Sequence, residues 1–337
     1  MTRVVVRAPN WLGDAVMALP AIAAVRAHFR DARLVVAAPG SVSPLFLERT
    51  AAAPDEVVAV DRAREIAEMR ALRADAVLLL PNSFGSAWTV RKAGVAERWG
   101  YASSGRRWLL TRAVARPRAV VHQVEYYCTL IRALGMTVAD ALPRLAPREE
   151  TRTRAEAVLA AAGWREGEPL VGFAPGAAYG HAKRWPPDRV AAVIKAVADS
   201  GARPVLLGAA ADRDTRRAIE SALPPQTRTV DLIGRTDLAA FIGVTARCAA
   251  FVSNDSGAMH VAAALGIPVT AIFGPTDERV TAPAGPGPRN VILRDVFCRP
   301  CMLRECPIDH RCMKRIHIDD VLASIPLTDA ASSLSRP

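Results

Sequence analysis

Three short stretches carry residues whose types and spacing could do chemistry. "SNDSGAMH" at 253–260 ends an apolar run and opens the helical pattern "AMHVAAALG". The backbone N–H groups of Ser256 and Gly257 at such a helix start favour an anion. His260 lies one turn in, at donor distance from a phosphate. Asp255 suits either a cap on the helix or acceptance from a hydroxyl. Ser256 and His260 raise a hydrolase, but no G-x-S-x-G elbow accompanies them. A capped helix with a packed histidine explains each residue singly and the set less well.

"APGAAYGHAKRWP" at 174–186 joins an apolar run to the helical pattern "DRVAAVIKAV". Gly176 and Gly180, with small residues between, let backbone amides approach an anion closely. Lys183 adds a mobile positive charge. A structural glycine-rich loop with a solvated lysine is the alternative. The chain holds neither G-x-G-x-x-G nor G-x-x-x-x-G-K-[ST], which argues against a nicotinamide dehydrogenase and a P-loop NTPase. The third stretch, "RAPNWLGDAVMALP" at 7–20, stands where a doubly wound protein puts a nucleotide loop. It holds one glycine, Gly13, and then Asp14, which an anion would not welcome. Pro20 predicts either a helix start near that residue or a kinked first turn.

The elements around these stretches alternate. Strands are expected at 3–8, 34–39, 56–60 and 75–81, then at 170–175, 204–208, 229–234, 249–255 and 268–274. Helical patterns lie between. Leu19, Ile22, Val25 and Phe29 share one face, and Asp188 and Gly201 are expected to cap the helix at 187–200. Alternation of this kind means parallel sheets covered by helices on both faces. "DALPRLAPREE" at 140–150 loses periodicity and reads as a linker. The fold class is therefore α/β, with two Rossmann-like doubly wound domains at 1–145 and 146–337. Two such domains facing each other leave a cleft at their strand C-terminal ends, where ligands bind.

The bulk properties narrow the partners. The chain has 337 residues, a net charge of +11, 51% hydrophobic residues and 5% aromatic residues. The excess charge favours anionic partners. Basic runs without interleaved aromatics favour small phosphates or a membrane surface over nucleic acid. The first residues carry charge and proline inside any apolar core, so no signal peptide is expected. The longest apolar run, 261–274, is too short to span a bilayer and contains Pro268. A cytoplasmic protein, soluble or peripherally attached, is the expectation. Of six cysteines, Cys128 and Cys248 fall in helical patterns and read as core residues. Cys298, Cys301, Cys306 and Cys312 cluster at 298–312 around His310. A structural zinc or iron–sulfur centre, reduced packed thiols and disulfides are the three readings for that loop.

Four segments together carry a resemblance. "GDAVMALPAIAAVR", "LLLPNSFGSAWTVRKAGVAERWGY", "FAPGAAYGHAKRWP" and "VSNDSGAMHVAAALGIPVTAIFGPTD" occur in this order and at these intervals. The chain resembles the ADP-heptose:lipopolysaccharide heptosyltransferases, glycosyltransferase family nine, over about residues 3–325. It is most similar to members adding the second heptose. The resemblance implies the glycosyltransferase B architecture, an acceptor-binding N-terminal domain and a C-terminal domain that binds ADP-heptose. It implies an inverting transfer that needs no metal or cofactor, from ADP-L-glycero-β-D-manno-heptose to heptose I of the inner core.

Carried over by motif, Asp14 becomes the general base and Lys183 the contact to the diphosphate. Asp255, Ser256, Gly257 and His260 surround donor sugar and phosphate, with Gly176 in the glycine-rich loop. Gly234 and Thr236 in "LIGRTDL" line the adenosine. Asn82 and Ser83, which follow a strand, are expected to meet the acceptor, with an N-cap as the plainer role for each. Arg62, Arg64, Arg98, Arg106 and Arg107 are candidates for acceptor phosphates or Kdo carboxylates, trusted as a group. The expected partners are ADP-heptose, a lipid-anchored core oligosaccharide and the anionic inner membrane, with no nucleic acid and a monomeric chain. Alternatives are a sister enzyme adding the first or a later heptose, and a basic ligand- or nucleic-acid-binding regulator.

Overall fold

A computed structural model describes residues 1–326. The end of the domain expected at 146–337 lies outside the described residues. The chain divides into two compact units, Met1–Ala146 and Pro147–Pro337.

The first unit runs β1 (Arg3–Arg7), α1 (Leu12–Met17), α2 (Leu19–His28), β2 (Arg33–Pro39), β3 (Glu56–Val60), α3 (Glu65–Ala71), β4 (Ala76–Leu79), α4 (Phe84–Lys92), β5 (Glu97–Tyr101), β6 (Arg112–Val114) and α5 (Gln123–Ala133). Its strands form one sheet in the order β3-β2-β1-β4-β5-β6. Every pair is parallel. The second unit runs α6 (Glu149–Ala161), β7 (Leu170–Ala174), α7 (Pro187–Asp199), β8 (Arg203–Leu206), α8 (Arg213–Ala222), β9 (Val230–Asp231), α9 (Leu238–Ala246), β10 (Cys248–Asn254), α10 (Gly257–Ala264), β11 (Val269–Ile272), α11 (Glu278–Thr281), β12 (Arg289–Ile292), α12 (Arg311–Lys314) and α13 (Ile318–Ala323). Its sheet has the order β12-β11-β10-β7-β8-β9, again all parallel. Both units are doubly wound α/β folds of Rossmann type.

Parallel sheets need cover on both faces, so their central strands are largely apolar. Val4, Val5 and Val6 of β1 are wholly buried, as are Val77 and Leu78 of β4. In the second unit the side chains alternate between two cores. Val171 and Phe173 join Val190, Ile194 and Met313 on one face. Leu170 and Ala174 join Leu159, Phe251 and Met259 on the other.

Several expectations are revised. β5, β6 and β12 were not anticipated. The first carries Glu97 and Arg98, and the other two are short edge strands. Cys248 opens β10 instead of lying in a helix, while Cys128 lies in α5. The first helical run is split: α1 ends at Met17, and α2 begins at Leu19 with Pro20 in its first turn. Proline lacks an N–H, so the hydrogen-bond ladder is interrupted there at little cost. Asp188 sits in the first turn of α7, whose N-cap is Pro186. Gly201 follows the C-cap of that helix at a φ of +88°, the expected left-handed position.

α9, which follows the Gly234–Thr236 turn, packs on α6 through Gly243. A Cβ at that position would stand 2.6 Å from the Thr151 carbonyl oxygen and 2.7 Å from the Ala155 methyl. Gly243→Ala is expected to lower the unfolding free energy by about 1–2 kcal/mol in urea titration. Overpacking of about 1–3 kcal/mol outweighs the better helix propensity.

Candidate active site

In each sheet the chain first winds one way from the centre and then the other. The order reverses between β1 and β4 in the first unit and between β7 and β10 in the second. Loops leaving these neighbours diverge and open a crevice at the strand C-terminal ends. Of the residues singled out by sequence, Asp14, Asn82 and Ser83 stand at the first reversal, and Gly176, Lys183, Asp255, Ser256, Gly257 and His260 at the second.

In the first unit, Asp14 follows β1, and Asn82 and Ser83 follow β4. Arg7, at the end of β1, is nearly buried and fixes the loop. It pairs with Glu65 at 2.6 Å and donates to the Ala8 carbonyl and to Asn10 Oδ1. α1 begins at Leu12, with Trp11 as N-cap and no side-chain cap. Asp14 is therefore a first-turn residue and not the cap. The Tyr127 hydroxyl on α5 donates to Asp14 Oδ1 at 3.4 Å. Burial first, and the Asp14 carboxylate second, hold the Tyr127 phenol well above its ordinary pKa, so it remains a donor.

Ser83 caps α4, accepting from the Ser86 amide at 3.2 Å. The Asn82 amide donates to the Tyr126 hydroxyl at 2.9 Å. Behind this loop lies Arg106, wholly buried and without a carboxylate partner among the described residues. Its guanidinium donates to the carbonyls of Pro81 at 2.5 Å, Tyr101 at 2.9 Å and Ser83 at 3.2 Å, and to Asn82 Oδ1 at 3.4 Å. Burial pulls its pKa down to about 10. Arg106 is thus an internal strut for the Asn82–Ser83 loop, unlike the acceptor-facing group expected.

The other arginines diverge. Arg62 and Arg64 are exposed beyond β3, and Arg64 lies 3.7 Å from Glu68. Arg98 lies near the N-terminal end of β5, in register with Val77 of β4, whereas Asn82 and Ser83 follow the other end of β4. Its guanidinium is taken up by the carbonyls of Val95, Ala96 and Leu109. Burial, and then the charge of Arg91, lower its pKa.

In the second unit, Lys183 and Asp255 meet across the β7–β10 reversal. Their Nζ–Oδ2 distance is 2.6 Å, with side-chain exposures of 12% and 5%. Lys183 is thus held and largely covered, unlike the mobile, solvated charge expected. Its ammonium also stands 4.8 Å from the Tyr179 ring centre. Asp255 accepts a second bond from Thr276 Oγ1 at 2.6 Å. It does not cap α10, whose N-cap is Ser256. Asn254 joins the same two loops, donating to the Pro175 carbonyl at 2.6 Å and accepting from the Trp185 amide at 3.2 Å. The amides of Ser256 and Gly257 open α10, and His260 is buried one turn on. An ammonium has three N–H donors and the carboxylate oxygen takes one. This corner therefore offers donors and a helix N-terminus to an anion.

Gly176 and Gly234 are glycines for nearer reasons. A Cβ on Gly176 would fall 2.3 Å from the Asp212 carboxylate. Gly234, at a φ of +70°, turns the chain from β9 toward Thr236 and packs against Ala210. Tyr127, Thr276 and Asp212 were missed from sequence, since each acts on a residue far away along the chain.

The 298–304 segment borders the same loops. Arg299 pairs with Glu278 at 2.5 Å and donates to the carbonyls of Gly274 and Thr276. The Ala182 amide donates to the Arg304 carbonyl at 2.9 Å. Cys298, Cys301, Cys306 and Cys312 are free thiols, with Cys312 buried and its pKa raised by that burial. Among the described residues no group of three or more His, Cys, Asp or Glu side chains is placed to hold a metal ion.

Residues 44–311 match the model of glycosyltransferase family 9 (heptosyltransferase). The chain belongs to that family. This glycosyltransferase is similar to lipopolysaccharide heptosyltransferase 2 of Escherichia coli K12, at 33% identity over 83% of this chain and 85% of the relative. It is similar to lipooligosaccharide heptosyltransferase 2 of Haemophilus influenzae, at 31% identity over 82% of this chain and 84% of the relative. The solved structure of E. coli ADP-heptose LPS heptosyltransferase II superposes with a TM-score of 0.84 at 28% identity, covering 99% of this chain and 100% of that one.

Arg106 tests how this family member holds its β4 loop. Arg106→Met removes the charged donor from the carbonyls of Pro81, Ser83 and Tyr101 and leaves them the Ser86 hydroxyl and the Ser103 amide. It is expected to lower the unfolding free energy by about 2–4 kcal/mol in urea titration.

Proposed function

We propose that this glycosyltransferase moves a heptose from ADP-heptose onto the first heptose of the lipopolysaccharide inner core, with inversion at the anomeric carbon. The observation that carries the reading is the division of charge between the two reversals. The first unit presents a carboxylate, Asp14. The second presents Lys183 and the start of α10. The relatives named heptosyltransferase 2 support the choice of sugar and of the second transfer.

In this reading Asp14 takes the proton from the acceptor hydroxyl as its oxygen attacks the anomeric carbon. The bond from that carbon to the diphosphate oxygen breaks with its electron pair, and ADP departs. Lys183 and the amides of Ser256 and Gly257 meet the growing charge on the diphosphate. His260 donates to the same phosphate. Asp255 orients Lys183 and accepts from a donor hydroxyl. Gly176 allows close approach of the loop, and Gly234 and Thr236 flank the adenosine. Asn82, Ser83, Arg62 and Arg64 take the acceptor, with Tyr127 fixing one oxygen of Asp14. Arg98 is left out because its guanidinium serves backbone carbonyls at the other end of the sheet. Among the described residues no helix is long and apolar enough to cross a membrane. The reading places the protein in the cytoplasm, against the inner face of the inner membrane, where a lipid-anchored acceptor is met.

Asp14→Asn is the direct test. It is expected to retain ADP binding by calorimetry and to lose transfer by about 100-fold or more, the range for loss of a general base. Near-normal turnover would refute the assignment. Lys183→Ala is expected to weaken ADP binding as well as rate, by about 10-fold or more, since a charge-assisted contact is lost.

A further inference from the structure

α4 turns its small residues inward and its aromatic residues outward. Ser86, Ala87 and Val90 are buried. Phe84 and Trp88, one turn apart on the opposite face, are 41% and 38% exposed, and Trp108 beside them is 58% exposed. The three rings touch one another, with centres 6.0–6.5 Å apart. A scattered exposed aromatic needs no explanation, but a contiguous group of three marks a contact surface. Cations rim the group. The Arg91 guanidinium lies 5.7 Å from the Trp108 ring centre, and the Lys92 ammonium 4.9 Å from that of Trp88. Arg107 is exposed beside Trp108. Among the described residues none of these three cations lies within salt-bridge distance of a carboxylate, whereas Arg7, Arg26, Arg33, Arg64, Arg132 and Arg144 of the same unit each have an acidic partner.

We propose that this face is the surface by which the protein rests on an anionic lipid bilayer. Tryptophan and phenylalanine suit the headgroup boundary, where a ring is apolar at its face and tolerates water at its edge. Unpaired Arg and Lys at the same level are drawn by lipid phosphates, and the chain's charge of +11 has the right sign. The position is apt, because α4 begins directly after Asn82 and Ser83. Docking through α4 would bring that loop to the lipid surface. The value of such docking rests on the reading that the acceptor is lipid-anchored, but binding to lipid does not.

Flotation of the full chain with vesicles tests the proposal without donor or acceptor. Vesicles of phosphatidylglycerol and phosphatidylethanolamine should carry the protein, and pure phosphatidylcholine should not. Bound protein should show a blue shift of tryptophan emission. W88A/W108A and, separately, R91E/K92E should each reduce binding to anionic vesicles by about 10-fold or more. Both should keep transfer to a lipid-free core oligosaccharide within about 2-fold of the parent, the scatter of independent surface changes. Failure of the parent to float with anionic vesicles overturns the proposal, as does equal flotation of both variants. Loss of transfer to the lipid-free acceptor with flotation unchanged would make the aromatic face a sugar platform instead. Normal flotation with no transfer by the parent would sink the heptosyltransferase reading and leave this surface standing.

Discussion

The ion pair between Lys183 and Asp255 ties the second unit's chemistry to its topology. Each residue leaves the end of a different strand, and the two strands are neighbours only because the sheet winds outward in both directions from its centre. A cation in a loop after β7 would otherwise swing into water. A carboxylate after β10 would otherwise turn back to cap its own helix. Paired at 2.6 Å and joined by Thr276, they hold the Lys183 ammonium and its remaining N–H donors in a fixed place beside the start of α10. Asn254 repeats the link one residue earlier through the Pro175 carbonyl and the Trp185 amide. The cost of taking these charges out of water is offset by direct contact and by the hydroxyl that satisfies the carboxylate further.

The first unit solves a related problem with the opposite charge. Its loop after β1 is braced from below by Arg7, and its loop after β4 by Arg106. Both guanidiniums are buried, and both spend donors on backbone carbonyls in or beside these loops. What remains presented at the reversal is Asp14, steadied by a tyrosine that burial keeps protonated. A nucleotide-type loop with a single glycine is coherent in these terms. It presents an acid, whereas the Lys183 ammonium and the amides that open α10 belong to the other unit.

Much of this was legible in the sequence because the parallel sheets are nearly pure apolar runs. Nine strands and both units follow from alternation and from the loss of periodicity near 140–150. β5 escaped because "ERWGY" opens with two charges, and that omission hid which end of the sheet Arg98 occupies. Cys248 escaped because "RCAAFV" fits a helix and a strand equally over so short a run. The candidate residues that the structure brings to the reversals, Asp14, Asn82, Lys183 and Asp255, each lie in a loop after a strand, where the sequence pattern points. Their partners were not legible. Tyr127 reaches Asp14 across 113 residues, and Thr276 reaches Asp255 from the next strand but in a different loop. Such contacts are set by packing of α5 and β11 and leave no local pattern.

The central claim is the transfer itself, from a defined donor to a defined sugar. Mass spectrometry of lipid-free core oligosaccharides incubated with ADP-heptose and the purified chain tests it most directly. The account predicts the gain of one heptose by a core that already carries a single heptose, with release of one ADP, and no gain by a core that carries none. Unchanged acceptors, or addition to the core lacking the first heptose, would contradict it.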